Sequence, residues 1–165
     1  DPDLTCRLPG LEGVSPIRVV IDAHLQLPLA SKLVRTARET PTWVVVSSET
    51  ARDRCEAYEE LGVNVIPVCV GSDHYPKPVE ILRKLGDCGL TRVLVEGGSS
   101  LAAVFLGAGL VDRLAWFRAP SVIGGDGVPA IAAYGIDKLS KMSRLELISI
   151  ETLGNDRLET YSTTD

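Results

Sequence analysis

The residues best suited to chemistry are Glu96, Gly97, Gly98, Ser99 and Ser100, which fall between a short apolar run at 93–95 and a longer one at 101–106. Two adjacent glycines let the backbone turn tightly with no side chain in the way, and a serine just after them can cap a helix. A strand, a glycine turn and a capped helix start together aim bare N–H groups at an anion, with the positive end of the helix dipole behind them. Glycine pairs are also common punctuation, and the same turn serves where a strand and a helix need only pack closely. Arg7 is a second charged candidate. On residue type alone it reads as a solvated loop arginine.

The remaining reactive side chains are dispersed. Cys6, Cys55, Cys69 and Cys88 contain no C-x-x-C pair, and His24 and His74 have no neighbour at metal-ligand spacing. Reduced thiols buried as small hydrophobes are expected, and no metal site. The same absences exclude a zinc deaminase, which needs H-x-E together with P-C-x-x-C. The glycine turn does not match G-x-G-x-x-G, and no acidic residue follows at the distance that would serve a ribose, so a standard dinucleotide fingerprint is not supported. A net charge of -5 argues against nucleic acid and against an anionic membrane surface, and no apolar run reaches the ~20 residues of a membrane helix. The chain opens on Asp1 instead of Met, which suits a fragment or a processed product.

At 165 residues, with 45% hydrophobic and 24% charged, the chain has the length and composition of one soluble domain. Residues 1–16 hold Pro2, Pro9, Gly10, Gly13 and Pro16 and read as an extended entry loop. Buried strands are expected at 17–21 (IRVVI), 42–47 (TWVVVS), 63–70 and 93–95, with Pro67 marking an edge or a bulge. Helices are expected at 51–61, capped by Thr50 and ended by Gly62, from Pro78 to Gly86 or Gly89, and at 101–106. A further strand is expected at 112–119, then a glycine-rich loop at 122–127 and one helical turn at 129–134. Two strands at 144–153 and 157–162 flank Gly154-Asn155-Asp156, a hairpin signal. Strands alternating with helices predict a mostly parallel sheet flanked by helices, with a C-terminal antiparallel hairpin. Ligands in such sheets bind beyond the carboxyl ends of the strands, where the turns at 96–98 and 124–125 fall.

Three segments in order then resemble one family. They are LVEGGS at 94–99, FLGAGLVDRL at 105–114 and APSVIGGD at 119–126, with DPDLTCR at 1–7 and IRVVID at 17–22 followed by Leu27-Pro28 in agreement. Together they resemble the reductase domain of bacterial riboflavin biosynthesis, the carboxyl half of a bifunctional deaminase–reductase. Each piece is weak alone. Their order, over nearly the whole chain, is specific.

The resemblance implies a dihydrofolate-reductase-like α/β fold over 1–165 as a single reductase domain, cytoplasmic and homodimeric. It implies NADPH-dependent reduction of 5-amino-6-(5-phosphoribosylamino)uracil to the ribitylamino compound, with hydride delivered to C1′ of the opened ribose. Matched by position, Leu4, Arg7 and Glu96 would contact substrate. A guanidinium at Arg7 suits the ribose phosphate bidentately. A carboxylate at Glu96 would serve the pyrimidine or simply cap the turn. Gly97 lies in the cofactor-phosphate turn, and Gly98, Ser99, Ser100, Leu101, Ala102, Ala103 and Val104 match its helix start. Ala23 takes the place of a cofactor-contacting hydroxyl residue, so one side-chain contact is lost there. No catalytic residue is assigned. The family domain ordinarily begins with a strand and two helices before Asp1, so this chain is expected to be a partial domain without deaminase activity. The alternatives are a related pterin or pyrimidine reductase, and a non-catalytic nucleotide-binding or dimerisation module.

Overall fold

Thr42–Ser47 places apolar or β-branched side chains at nearly every position, a composition that suits a strand covered on both faces. In the computed structural model, which describes residues 1–11, 13–71 and 74–163, it is the central strand of a parallel sheet. The chain forms two compact units, Asp1–Thr91 and Arg92–Asp165.

In the first unit β1 (Arg18–Ile21), β2 (Thr42–Ser47) and β3 (Asn64–Val68) lie in the order β1-β2-β3, all parallel. Alternation along β2 sends Val44 and Val46 to one face and Val45 to the other. Val44 and Val46 pack with Leu25, Val34, Tyr58 and Val63, so α1 (Lys32–Arg35) and α2 (Arg52–Glu59) cover that face. Val45 packs with Ile66, Val68, Ile81 and Leu85, which places α3 (Pro78–Asp87) on the other. Pro67 is tolerated because β3 pairs only with β2 among the described residues, leaving its missing N–H on an edge. Pro78 opens α3, and Gly89 follows it at φ +95, where a side chain would be strained.

In the second unit α4 (Ser99–Gly107) precedes β4 (Arg113–Arg118), and β5 (Leu145–Leu153) and β6 (Asp156–Thr163) form the hairpin. The sheet order is β4-β6-β5, antiparallel throughout, with a bulge between Leu147 and Ser149. Gly154 takes φ +65 in the tight turn that pairs Leu153 with Asp156. Residues 132–134 lie on α4: the Ala132 N–H bonds the Ser99 carbonyl at 3.0 Å, and the Tyr134 ring crowds Gly107.

Several expectations are corrected. Residues 93–95 form no strand; Leu94 is 78% exposed, and no ladder partner meets this segment among the described residues. A strand exists only by pairing, and pairing is non-local, so β-rich composition cannot guarantee it. The strand β4 joins an antiparallel sheet, not an extension of the parallel one. Neither serine caps α4: Gly98 is its N-cap, without a side-chain hydrogen bond, and Ser99 and Ser100 lie within the helix. The cap of α2 is Ala51; the Thr50 hydroxyl instead donates to the Ala23 carbonyl at 3.3 Å. No helical turn forms at 129–134, whereas Gly124–Asp126 and Leu139–Lys141 form short 3-10 turns. The one-turn helix α1, whose Ser31 hydroxyl accepts from the Val34 N–H, was hidden by its brevity. All four cysteines are free, but only Cys55 is buried, and Cys69 and Cys88 are exposed.

Candidate functional site

The predicted site residues divide between the units. Leu4, Arg7 and Ala23 belong to the first, and Glu96 to Val104 to the second.

The entry segment of the first unit has no regular structure, yet it is tied down. The Asp1 carboxylate accepts from the Lys32 N–H at 2.8 Å, at the start of α1, and Lys32 Nζ pairs with Asp3 at 3.3 Å. Arg18 Nη1 donates to the Asp3 carbonyl at 3.3 Å, and the Cys6 N–H donates to Ser15 Oγ at 3.2 Å. Leu4 follows with φ 49, in the left-handed region that leucine seldom adopts. Arg7 is exposed, with its guanidinium available to an anion from solvent.

Ala23 lies in the turn two residues after β1 and is 8% exposed. Its carbonyl accepts from the Ser47 N–H at 3.1 Å and from the Thr50 hydroxyl at 3.3 Å, which uses both lone pairs. A ligand at this position would meet the methyl group and the N–H only. The neighbouring Asp22 carboxylate accepts from the Leu27 N–H at 2.7 Å and shapes the turn that follows.

In the second unit Glu96, Gly97 and Gly98 are exposed and lead directly into α4. Gly98 has φ 70 and ψ 123, a conformation hostile to any side chain. A Cβ added at Gly97 or Gly98 would meet no described atom of the second unit within 4 Å. Within the second unit these glycines therefore do not serve close packing. The first N–H groups of α4 have no intrahelical acceptor by helix geometry. Only Ala103 of the residues assigned to the turn is buried, and it anchors the helix.

A separate feature of the second unit was not foreseen. A cavity of about 390 Å³ is lined by Leu106, Trp116, Arg118, Tyr134, Glu159 and Tyr161, among others. The Tyr161 hydroxyl donates to the buried Glu159 carboxylate at 2.8 Å, and Arg118 does so at 3.2 Å. The tyrosine hydroxyl holds the Glu159 carboxyl below its ordinary range; burial opposes that, and Arg118 reinforces it. The same bond pushes the Tyr161 phenol up. The alternation of Leu114, Trp116 and Arg118 against Glu159 and Tyr161 was the available signal, since register places these pairs on one face. None of the predicted site residues lines this cavity. Among the described residues no cluster suits a metal ion, and no helix is long and apolar enough to cross a membrane.

The model of the RibD C-terminal domain matches residues 1–158. The chain belongs to the RibD C-terminal domain family. It is 34% identical, over 98% of its length, to the riboflavin biosynthesis protein RibD of Actinobacillus pleuropneumoniae, of which it covers 42%. It is 32% identical, over 98% of its length, to the 2,5-diamino-6-ribosylamino-4(3H)-pyrimidinone 5′-phosphate reductase of Methanothermobacter thermautotrophicus, of which it covers 73%. The solved RibD of Acinetobacter baumannii superimposes with a TM-score of 0.73 at 22% identity, over 90% of this chain and 38% of that one. The likeness agrees with the dihydrofolate-reductase-like α/β class. The chain spans about two-fifths of the length of the RibD relatives.

Proposed function

We propose that this chain carries the reductase activity of riboflavin biosynthesis: NADPH-dependent reduction of 5-amino-6-(5-phosphoribosylamino)uracil to 5-amino-6-(5-phosphoribitylamino)uracil. The observation that carries the reading is the family match over residues 1–158, within which falls a glycine turn left open, within the second unit, in front of α4. We read the chain as part of one reductase domain of a cytoplasmic homodimer, which size-exclusion chromatography with light scattering would test.

The residues present fit a nucleotide phosphate. Gly97 and Gly98 leave room for backbone approach, and the α4 N-terminus, of nine residues, offers N–H donors and the positive end of its dipole. Gly97, Gly98, Ser99, Ser100, Leu101 and Ala102 would hold that phosphate. Ala103 and Val104 set the helix behind it. Ala23 would add a backbone or methyl contact. A nicotinamide bound there would supply the hydride. By the family resemblance Leu4 and Arg7 would contact the substrate, Arg7 through its ribose phosphate, and Glu96 would contact it near the pyrimidine. Opened ribose presents an imine carbon at C1′, which gains the hydride while its nitrogen takes a proton from solvent. The protein's contribution is orientation and charge placement.

A second reading is favoured by the match to the diaminopyrimidinone reductase, which differs from the first by only two percentage points of identity at the same coverage of this chain. It keeps the ribosyl reduction and changes the pyrimidine. NADPH consumption measured with both pyrimidines separates the two. In the full-length enzyme Arg7→Ala should raise KM for the phosphorylated substrate by about 10- to 150-fold, the loss of one charge-assisted contact worth ~1.5–3 kcal/mol. Equal losses for phosphorylated and dephosphorylated substrates would refute the role of Arg7.

A further inference from the structure

A charged side chain within an apolar strand requires an account, and Arg18 is 3% exposed at the start of β1. Its Nη2 reaches the carbonyls of Leu33 at 3.3 Å, Thr36 at 3.1 Å and Thr40 at 2.8 Å, and the Thr42 hydroxyl at 2.6 Å. Its Nη1 donates to the Thr36 hydroxyl at 2.9 Å and to the Asp3 carbonyl at 3.3 Å. Two hydrogens on Nη2 serve four acceptors, so those bonds are shared. Nε is buried without a partner among the described residues, and burial lowers the guanidinium's pKa, with Asp3 and Glu39 opposing.

The acceptors sort into three sets, the first being Thr40, just before β2, and Thr42, at its start, which tie Arg18 to the sheet. Leu33 and Thr36 belong to the end of the one-turn helix α1; the Leu33 carbonyl accepts from Arg18, and the Thr36 carbonyl accepts from Arg18 as well as from the Glu39 N–H at 3.1 Å and the Thr40 N–H at 3.0 Å. Asp3 belongs to the entry segment, and its carbonyl is the one immediately before Leu4. That bond fixes the peptide plane from which Leu4 enters its left-handed conformation at φ 49. An unfavourable backbone conformation of this kind persists only where its surroundings over-determine it. The start of the same helix grips the segment as well, through Asp1 on the Lys32 N–H and through the Lys32–Asp3 pair. Residues 1–3 are thus held from both ends of α1, and Arg18 is the buried member of that clamp.

We infer that Arg18 is a positioning residue, which acts through the Asp3 carbonyl and the Leu4 turn to aim Arg7 at the phosphate of the substrate. This rests on the reading of Arg7 given above. A guanidinium that served only the core would affect all substrates alike. One that aims Arg7 affects only substrates that carry the phosphate, and only while Arg7 is present.

The experiment is a double-mutant cycle in the enzyme at its full natural length, with Arg18→Met, Arg7→Ala and the pair, assayed by NADPH oxidation on phosphorylated and dephosphorylated substrate. Arg18→Met should raise KM for the phosphorylated substrate about 10-fold, with kcat within about 3-fold and the dephosphorylated KM within about 2-fold. In the Arg7→Ala background it should add nothing. An equal KM rise for both substrates, or a full effect in the Arg7→Ala background, would overturn the inference. Should Arg18→Met fail to fold, the surface changes Lys32→Met and Asp3→Asn loosen the same clamp. They should raise the phosphorylated KM about 2- to 5-fold, again only with Arg7 in place, and an unchanged KM would count against the inference. A wild-type enzyme indifferent to the phosphate overturns the reading of Arg7 and this inference with it. A wild type that prefers the phosphate, joined to additive variants, overturns the role of Arg18 alone.

Discussion

Replacing Gly97 by Ala and, separately, Gly98 by Ala distinguishes the two duties that a glycine turn can have. Neither change meets a described atom of the second unit within 4 Å, so packing within that unit is not at stake at either position. The backbone separates them: Gly98 has φ 70, and Gly97 lies outside the region that strains a side chain. Gly98→Ala should therefore cost ~1–3 kcal/mol of backbone strain, a fall of roughly 2–12 °C in Tm for a chain of this size. Gly97→Ala should leave stability within about 0.5 kcal/mol, as surface changes ordinarily do. What Gly97→Ala changes is the space in front of α4. If a phosphate approaches that backbone, a methyl group there removes one charge-assisted N–H contact, worth ~1.5–3 kcal/mol, or about 10- to 150-fold in KM for NADPH. The assay is NADPH-dependent turnover of the full-length enzyme, with NADPH affinity measured by fluorescence and Tm by calorimetry. A Gly97→Ala enzyme with unchanged Tm and an NADPH KM within two-fold of wild type would refute the phosphate reading of the turn.

Two further outcomes bear on the fold. Leu85→Ala empties a site 1% exposed beneath β2 and β3 and should cost about 2–5 kcal/mol, read from urea unfolding of the first unit. Tyr161→Phe removes the hydroxyl that lowers the Glu159 carboxyl and thereby raises its own phenol. The Glu159 contribution is complete above the unfolded carboxyl value near ~4.3 and is lost as pH falls through the lower folded value; the Tyr161 contribution is complete below ~10 and is lost as pH rises through the higher one. The stability gap between wild type and Tyr161→Phe should therefore be flat between about pH 5.5 and 9 and should shrink on acidification. A gap that persists unchanged at about pH 3 would refute the pairing.

What could be read from the sequence follows from how local each determinant is. The strand Thr42–Ser47 is legible because Trp43 to Val46 are apolar on both faces, and the hairpin because Gly154-Asn155 marks its turn within a few residues of both strands. The start of α3 was legible from Pro78, whose fixed φ and missing N–H suit a first helical position. The four-residue helix Lys32–Arg35 is too short to show a period. Residues 93–95 carry strand composition but lack a ladder, and composition reports a residue's fitness for a pleat, not the presence of a neighbour. In the sequence Arg18 belongs to the IRVVI run. Its interruption of that run was the signal, and only the fold shows the carbonyls that take up its charge.

The glycine turn and the entry segment represent opposite solutions to the same requirement, a backbone held in a conformation that most residues resist. At Gly98 the residue itself removes the penalty, so the conformation needs no external hydrogen bond, and none of the N-cap kind is present. At Leu4 the residue keeps its penalty, and the surroundings supply the restraint through Arg18, Lys32 and Asp1. The two should therefore respond differently to substitution. Leu4→Gly would relieve strain in the folded chain yet loosen the segment by widening its unfolded and native ensembles, so it should leave stability little changed while raising KM for the phosphorylated substrate. Glycine at 98 cannot be improved in that way, and every replacement there should cost stability first. A turn built on glycine tolerates changes around it, whereas a turn built on restraint is sensitive to distant ones. For this reason a change at the buried Arg18 should disturb the entry segment more than a change at its exposed Arg7.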